Sequence, residues 1–226
     1  MTCTLVATSP VAHPFTVVDV PQRSPAWFAA RLGRLTGSRA AAMIATTQKG
    51  TPTAARKDLR TQLVLERLTG TCQEDAWCSP EMRRAVLQEP QAVAAYEALT
   101  GRVAWRSGFL AHDTLPVGCS LDGHLGDFAG LLEVKCPKSA THLASLTSRT
   151  IPAEYLPQIV HNLWMTGAAW CDFLSFDDRF PLPLQTMLVR YARDETEIAL
   201  YARVVTAFLA EVDDELAAVQ TLQEVA

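Results

Sequence analysis

The amino-acid sequence predicts one domain of the α/β (or α+β) class, in which helices flank a mixed central β-sheet. Helical periodicity dominates the first half of the chain, short strand-like segments follow, and a long helix ends it. The length of 226 residues suits a single domain with a sizeable core. Apolar residues make up 49% of the chain and charged residues 19%, a composition that argues against disorder.

The first half of the chain predicts a poorly packed lead-in over residues 1–22 and then four helices. These are a short helix after Ser24-Pro25 that Gly33 ends, one over 39–46 with Ser38 as N-cap, one over 54–69 that Gly70 closes, and one over 81–100 that Gly101 stops. Residues 71–80 read as a loop. Pro90 lies inside the last of these helices and predicts a kink or a split near Gln88-Glu89.

The second half predicts the sheet and a final helix, with residues 107–192 as the sheet-rich core and 193–226 as an acidic C-terminal helix. The expected strands cover residues 103–111, 115–121, 130–136, 170–177 and 185–192, and the expected helices cover 153–166 and 194–219. Trp105, Trp164 and Trp170 are expected in the hydrophobic core.

Composition also argues against several classes of protein. No apolar run approaches the roughly 18 residues of a membrane-spanning helix. The first 22 residues have neither a basic start nor a long apolar stretch, so we expect no secretory signal. The six cysteines include no Cys-x-x-Cys pair, which argues against a zinc ribbon, and their low density argues against a disulfide scaffold. We therefore expect a cytoplasmic protein with reduced thiols.

Charge is distributed unevenly along the chain. The net charge is −4, which alone argues mildly against nucleic-acid binding. Residues 23–106, however, hold 13 Lys and Arg against 7 Asp and Glu, whereas residues 194–226 hold one Arg against 8 Asp and Glu. Such asymmetry is typical either of two solvated faces or of a basic binding surface beside an acidic one.

The most informative stretch lies between residues 118 and 138. Alternate side chains of a strand share a face, so Glu133 and Lys135 point one way and Val134 the other. Asp122 stands before Gly123 at the end of the preceding strand, and antiparallel pairing would bring it beside Glu133. Two adjacent carboxylates suit Mg²⁺ or Mn²⁺, and a lysine on the same face suits charge stabilisation at a phosphorus centre.

A lone Glu-x-Lys pair is more often an ordinary ion pair on a solvated strand face, with Asp-Gly as a plain turn. Here the carboxylate before a glycine is combined with Glu and Lys inside an otherwise apolar strand that Cys136-Pro137 follows. This combination favours phosphodiester hydrolysis, and further groups of residues stand in order along the chain. They are Ala26-Trp27, Arg31-Leu32-Gly33 and Thr36-Gly37-Ser38; Gln88-Glu89-Pro90, Tyr96-Glu97 and Thr100-Gly101; Cys119-Ser120-Leu121-Asp122-Gly123; Leu132 to Pro137; Ile151-Pro152, Tyr155 and Gln158; and Met165-Thr166-Gly167 with Trp170 to Phe173.

This ordered set resembles the lambda-exonuclease family, also called YqaJ viral recombinases, within the PD-(D/E)xK nuclease superfamily, over about residues 22–212. The resemblance implies a restriction-endonuclease-like core and a single nuclease domain over residues 1–226. It also implies Mg²⁺ as cofactor, with Mn²⁺ as a substitute. The residues that match the metal ligands are Asp122, Glu133, the Val134 carbonyl and the upstream Glu89. Lys135 matches the catalytic lysine and Gln158 matches the glutamine that helps to place the water.

The resemblance further implies a pocket for the 5′-phosphate of a DNA end, formed by Arg31, Ser38 and Ser120. Arginine offers a bidentate fork to phosphate oxygens, which fits this role. The arginine expected shortly after the Lys-Cys-Pro block is absent, and Lys138 is the expected substitute. Leu121 stands where the family usually has proline, and this position supplies no ligand.

By the same resemblance the protein digests one strand of linear double-stranded DNA in the 5′→3′ direction and leaves a 3′ overhang for recombination. It would form a homotrimeric ring with DNA in a central channel and act with a single-strand annealing protein, in the cytoplasm of a bacterium that carries the phage or prophage. The basic segment 23–106 would line the channel and the acidic helix would face outward. Two alternatives remain open: a structure-specific or restriction-type endonuclease, and a non-catalytic DNA-end or protein-binding module.

Overall fold

Helices and strands alternate through the described part of the chain, residues 13–73 and 79–222 of a computed structural model. The α-helices there are α1 (Pro25–Arg31), α2 (Ala40–Ile44), α3 (Ala54–Thr69), α4 (Pro80–Thr100), α5 (Ser139–Ser148), α6 (Leu156–Thr166) and α7 (Glu195–Thr221). The strands are β1 (Phe15–Val18), β2 (Leu35–Thr36), β3 (Phe109–His112), β4 (Val117–Cys119), β5 (Gly123–Leu125), β6 (Gly130–Lys135), β7 (Trp170–Phe176) and β8 (Thr186–Ala192). The predicted α/β class is confirmed.

The strands form two mixed four-stranded sheets instead of the single central sheet that we expected. The first sheet has the order β1-β3-β4-β2 and the second the order β5-β6-β7-β8. In the second sheet β6 and β7 are parallel, while the two outer pairs are antiparallel. The chain passes from the first sheet to the second between Cys119 and Gly123, so Ser120 and Asp122 lie where the two sheets meet.

The expectation of a poorly packed lead-in over residues 1–22 is wrong for Phe15–Val18. Strand β1 pairs antiparallel with β3 along its whole length. Phe15 is buried and packs edge-on against Phe128 at 5.1 Å between ring centroids. The short run Phe-Thr-Val-Val is rich in residues that favour strands, and pairing with β3 outweighs its isolation between prolines. Residues 1–12 lie outside the described part of the chain.

Several helix boundaries follow from local signals that the sequence shows. The Ser24 side chain caps α1 by accepting a hydrogen bond from the Trp27 N–H. Gly70 and Gly101 end α3 and α4 in the left-handed conformation, with φ of 65° and 68°. The expected loop over 71–80 holds for residues 71–73 and 79, whereas Pro80 already belongs to α4 and residues 74–78 lie outside the described part.

Two helix predictions need correction. Ser38 does not cap α2: it lies in a 3₁₀ turn over Gly37–Arg39, and its hydroxyl contacts Arg31 instead. Helix α4 is not split, because it runs through Pro90 without interruption. Pro90 lies on the exposed side of this helix.

Helix α5 and strand β5 were not predicted from the sequence. Helix α5 has the sequence Ser-Ala-Thr-His-Leu-Ala-Ser-Leu-Thr-Ser, in which Ser and Thr are weak helix formers, so its periodicity is faint. It is anchored by the buried His142, whose ring contacts Ser175 Oγ at 2.8 Å and the Leu184 carbonyl at 2.9 Å. Strand β5 is only three residues long and directly follows Asp122.

Helices cover both faces of the second sheet, and this arrangement positions the site. Leu132 and Val134 of β6 pack with Val93 and Tyr96 of α4 in one hydrophobic cluster. Leu131 belongs to the other, larger cluster, which includes residues of α6 and α7. Because side chains alternate along β6, Glu133 shares the face of Leu131 and points inward towards α6.

Surface features differ from expectation in two places. Trp105 is 60% exposed, so the prediction that it lies in the core is wrong, whereas Trp164 and Trp170 pack against the hydrophobic clusters as expected. Carboxylates of α7 do not all face outward, because Glu211 pairs with Arg56 at 2.7 Å and Asp213 pairs with Arg67 at 2.6 Å. Part of the basic segment is thus neutralised by the acidic helix. None of the described helices is long and apolar enough to cross a membrane.

Candidate active site

The strand register brings the two predicted carboxylates together. Gly123 of β5 lies opposite Leu132 of β6, so the residue before Gly123 lies beside the residue after Leu132. These residues are Asp122 and Glu133. Asp122 Oδ2 accepts a hydrogen bond of 2.7 Å from the Val134 N–H, which fixes the carboxylate at the end of the sheet.

Lys135 lies on the same face as Glu133, as the alternation predicts. Its Nζ donates to Glu133 Oε1 at 2.5 Å and to Gln158 Oε1 at 3.1 Å. The ammonium also lies 5.4 Å from the centre of the Tyr155 ring, within the range of a cation–π contact. The four predicted residues Asp122, Glu133, Lys135 and Gln158 therefore form one cluster.

Helix α6 contributes a residue that the sequence analysis missed. Asn162 follows Gln158 by four positions, so both side chains lie on one face of the helix. Asn162 Nδ2 donates to Glu133 Oε2 at 3.3 Å, and both residues are buried. The i, i+4 spacing from Gln158 is the signal that points to Asn162.

A close contact joins α6 to the turn that carries Ser38. A side chain at Gly37 would place its Cβ 2.6 Å from Asn162 Oδ1 and 3.5 Å from Gln158 Cγ. Glycine is therefore required for the turn to approach this face of α6. The position of Ser38 is thereby fixed relative to Gln158 and Asn162.

Burial dominates the electrostatics of the carboxylates. Glu133 is 1% exposed, and burial raises its pKa to about 7 even though Lys135 lowers it; the nearby Asp122 raises it further. Burial likewise raises the pKa of Asp122 against the effects of Lys135 and the Val134 N–H. For Lys135 burial disfavours the charge, but Glu133 and Asp122 outweigh it and raise the pKa of the lysine.

Glu89 reaches the same region from α4. Its carboxylate lies 3.3 Å from Arg106 Nη2 and 3.6 Å from Arg23 Nη2. Burial and the charge of Asp122 raise the pKa of Glu89 in spite of the two guanidinium groups. Glu89 and Asp122 line a shared cavity of about 410 Å³ together with Arg23, Arg106 and Ser107.

The donor set suits a hard divalent cation, although no cluster of three or more His, Cys, Asp or Glu side chains is assembled among the described residues. Two buried carboxylates side by side carry the costs of desolvation and mutual repulsion, which a cation relieves. Asp122 Oδ1 makes no hydrogen bond to any described residue, whereas Oδ2 is engaged. Glu89 is held by its two arginines at the edge of the cavity.

Three of the four residues expected to bind a phosphate lie together. Arg31 Nη2 lies 3.3 Å from Ser38 Oγ, and the Arg31 guanidinium stacks 4.1 Å above the Trp27 ring. Trp27 Nε1 donates to Ser120 Oγ at 2.8 Å. Thr36, which the sequence analysis did not select, joins the cluster through its Oγ1, 3.4 Å from Arg31 Nη2.

Lys138 does not join this cluster. Its side chain is 71% exposed, and its Nζ lies 3.5 Å from Glu81 Oε1 near the start of α4. It contacts none of Arg31, Ser38 and Ser120 in the described part of the chain.

Comparisons with known proteins identify the family and the fold of this chain. The family model of the YqaJ-like viral recombinase domain matches residues 26–169. The crystal structure of an alkaline exonuclease (LHK-Exo) from Laribacter hongkongensis is 36% identical, with a TM-score of 0.80, and the match covers 90% of this chain and 100% of that one. LHK-Exo in complex with dAMP gives the same identity and coverage and a TM-score of 0.81.

A more distant structure, a phage-related exonuclease from Haemophilus somnus, is 14% identical with a TM-score of 0.61, over 85% of this chain and 96% of that one. At that identity the likeness shows the fold alone. A search of curated proteins found no match. The resemblance inferred from the sequence motifs and the predicted nuclease-type core are confirmed.

Proposed function

Because the chain belongs to the YqaJ-like viral recombinase family, we propose that it is a Mg²⁺-dependent exonuclease that digests one strand of linear double-stranded DNA from the 5′ end. A nuclease role in DNA recombination follows from the family. The product would be a duplex with a 3′ single-stranded overhang. The observation that supports this proposal most strongly is the buried cluster of Asp122, Glu133, Lys135 and Gln158.

Asp122, Glu133 and the Val134 carbonyl would hold a divalent cation, with Glu89 as a further carboxylate that lines the same cavity as Asp122. When bound, such a cation supplies Lewis acidity at the phosphate and lowers the pKa of water. Mg²⁺ and Mn²⁺ both suit these oxygen donors. Asn162 holds Glu133 Oε2 and so orients the second oxygen of that carboxylate towards Lys135.

Lys135 would stabilise the negative charge that develops on the phosphate oxygens during cleavage. In the metal-free protein the charges of Glu133 and Asp122 raise the pKa of Lys135 and so favour its ammonium form. An ammonium group at this position would act as a fixed positive charge. Gln158 accepts a hydrogen bond from Lys135 through Oε1, which leaves its Nε2 group to orient the attacking water or a phosphate oxygen.

The cluster of Arg31, Ser38 and Ser120 would bind the terminal 5′-phosphate. A buried guanidinium with hydroxyl groups beside it supplies charge-assisted hydrogen bonds to an anion. A 5′-phosphate carries more negative charge than an internal phosphodiester, so this site selects a strand end. Lys138 would contribute from the surface by charge alone.

Family membership also supports the proposals about assembly and cellular context. The chain would form a homotrimeric ring on DNA, act with a single-strand annealing protein, and work in the cytoplasm of a bacterium that carries the phage or prophage. Mass measurement in solution, with and without a DNA end, tests the trimer.

One assay separates the proposed function from its alternatives. Linear duplex labelled at either the 5′ or the 3′ termini is incubated with Mg²⁺, beside a closed circular plasmid. A 5′→3′ exonuclease releases the 5′ label early as a mononucleotide, retains the 3′ label in long products and leaves the plasmid intact. Cleavage of the circle would indicate an endonuclease, and binding without metal-dependent digestion would indicate a non-catalytic module.

A further inference from the structure

Trp105 is distinguished from the other described tryptophans by its lack of partners. Trp27 packs with Phe28 and Arg31, Trp164 packs with aromatic rings, and Trp170 lies under Arg190 at 3.6 Å. The ring of Trp105 contacts no aromatic ring or guanidinium group in the described part of the chain, and it is 60% exposed. An exposed indole with a free face is a typical binding element.

The backbone of Trp105 is nevertheless held firmly. Its N–H donates to the His124 carbonyl and its carbonyl accepts from the His124 N–H, both at 2.8 Å, in an antiparallel bridge at the edge of β5. A ring on such a fixed backbone loses little conformational freedom when it binds. The exposed side chain is therefore a preorganised contact, not part of a loose loop.

The register of this bridge places Trp105 on the catalytic face of the sheet. Residues directly opposite each other in an antiparallel pair project to the same face, so Trp105 shares the face of His124. His124 lies opposite Leu131, and Leu131 shares its face of β6 with Glu133, so Trp105 and Glu133 project to the same face. The Cα atoms of Trp105 and Asp122 are separated by two residues along the strand and by one interstrand spacing. The distance between these two atoms is therefore roughly 8 Å. That distance corresponds to about two or three nucleotides at the 3.4 Å rise of DNA.

The residues after Trp105 lead into the catalytic cavity. Arg106 and Ser107 line the cavity that Asp122 and Glu89 also line. Ser107 Oγ is buried there and has no hydrogen-bond partner among the described residues. Arg106 is 60% exposed beyond its contact with Glu89. Trp105 precedes these two residues in the chain but is not among the residues that line the cavity. The hydroxyl and the guanidinium therefore supply a phosphate contact inside the cavity, and the exposed indole supplies a stacking surface outside it.

We propose that the segment Trp105–Ser107 is a nucleotide-binding strip, in which Trp105 stacks on a base of the strand that enters the catalytic cavity and Arg106 and Ser107 contact its phosphate. This inference rests on the proposed function and adds a binding element to it. An aromatic face with adjacent cations is the usual platform for unpaired nucleic acid, and stacking tolerates any base. A purely apolar protein partner would not require the guanidinium or the buried hydroxyl.

The test is a binding cycle between the side chain and the base. The affinity of the protein for a 5′-phosphorylated duplex is measured in EDTA, so that no cleavage occurs. The substrates are the intact duplex and a set of duplexes that each lack the base at one of the first four nucleotides of the 5′ strand. We expect Trp105→Ala to weaken the binding of intact DNA by about 10-fold. Removal of the base at one of the four positions should weaken the binding of DNA to the wild-type protein by the same factor. Removal of the same base should not weaken the binding of DNA to Trp105→Ala any further, because this variant already lacks the side chain on which the base would stack.

Three further variants separate stacking from other roles. Trp105→Phe should restore most of the affinity, because phenylalanine keeps an aromatic face. Ser107→Ala should weaken intact and abasic DNA alike, since it loses a phosphate contact. Leu182→Ala, which removes a side chain that is 82% exposed on the connection to β8 at the opposite edge of the sheet, should bind every substrate as wild type does.

Wild-type affinity of Trp105→Ala, or additive losses from the variant and the abasic position, would overturn the inference. A changed molecular mass of Trp105→Ala in solution, with a loss of binding that follows it, would instead make Trp105 a contact between subunits and would also overturn it. Digestion of linear duplex in Mg²⁺ is measured in parallel. If linear duplex is digested but the losses from Trp105→Ala and from base removal are additive, this inference alone is refuted. If the losses are not additive but no digestion occurs, the proposed enzyme activity is refuted and the nucleotide-binding strip remains.

Discussion

The raised pKa of Glu133 predicts that the metal-free protein loses stability as the pH rises. Burial shifts this pKa from an ordinary value of 4.5 to about 7, so the folded protein holds a proton that the unfolded chain releases. The stabilisation from that proton is complete below about pH 4.5 and is lost as the pH rises through 7. This shift in the pKa of Glu133 corresponds to about 3 kcal/mol in the free energy of unfolding. The assay is urea unfolding in EDTA between pH 5 and 8, for wild type and Glu133→Gln.

Glutamine imitates the protonated carboxyl group and cannot titrate, so the difference between the two proteins reports on Glu133 and on its interactions with Asp122 and Lys135. Burial also lowers the pKa of His161 to about 4, which makes stability rise over an overlapping range of pH. That opposite contribution is present in both proteins and cancels. The free energy of unfolding of wild type relative to Glu133→Gln should fall by about 2–3 kcal/mol from pH 5 to pH 8, and Mg²⁺ should recover much of it at pH 8. A difference independent of pH would refute the reasoning.

Three other variants test separate parts of the site. Lys135→Ala should lower kcat about 100-fold with little change in DNA affinity, and a loss confined to affinity would make Lys135 a phosphate anchor. Arg31→Ala should abolish most of the preference for 5′-phosphorylated over 5′-hydroxyl ends in a digestion assay, with Arg31→Lys as a partial rescue; an unchanged preference would contradict the phosphate pocket. Gly37→Ala should destabilise the protein by about 1–2 kcal/mol in urea and lower kcat, because its Cβ displaces Asn162 from Glu133; full activity would show that this contact is dispensable.

Much of the cluster of Asp122, Glu133, Lys135 and Gln158 was predictable because it depends on short-range rules and on the order of the motifs. Alternation along β6 fixes the opposite directions of Val134 and Glu133. Asp122 lies beside Glu133 as predicted, but Asp122-Gly123 is not a hairpin turn at the end of the preceding strand: Gly123 begins β5, and the register of β5 against β6 brings the two carboxylates together. The order of the motifs then indicated Gln158, which lies 25 residues later on another element. Its contact with Lys135 depends on how α6 packs on the sheet, which no local rule gives.

The features that escaped prediction depend on tertiary packing. Trp105 was assigned to the core because large aromatic residues are usually buried, but its side chain is exposed. Its position beside β5 depends on a single bridge to His124 that no periodicity reveals. Strand β1 is held by its partner β3, about 90 residues away in sequence. The distribution of charge along the chain suggested that the basic segment and the acidic helix form separate surfaces. In the structure, ion pairs between α3 and α7 join them.

The most direct test of the proposed site measures cleavage and DNA-end binding side by side for wild type and Asp122→Asn. Linear 5′-phosphorylated duplex is digested in Mg²⁺, and binding of the same duplex is measured in EDTA. Wild type should release mononucleotides, whereas the variant should release none and bind the duplex with nearly the same affinity, because it loses one carboxylate and none of the basic groups. Cleavage by Asp122→Asn at close to the wild-type rate would contradict the assignment of the buried carboxylates as the catalytic centre.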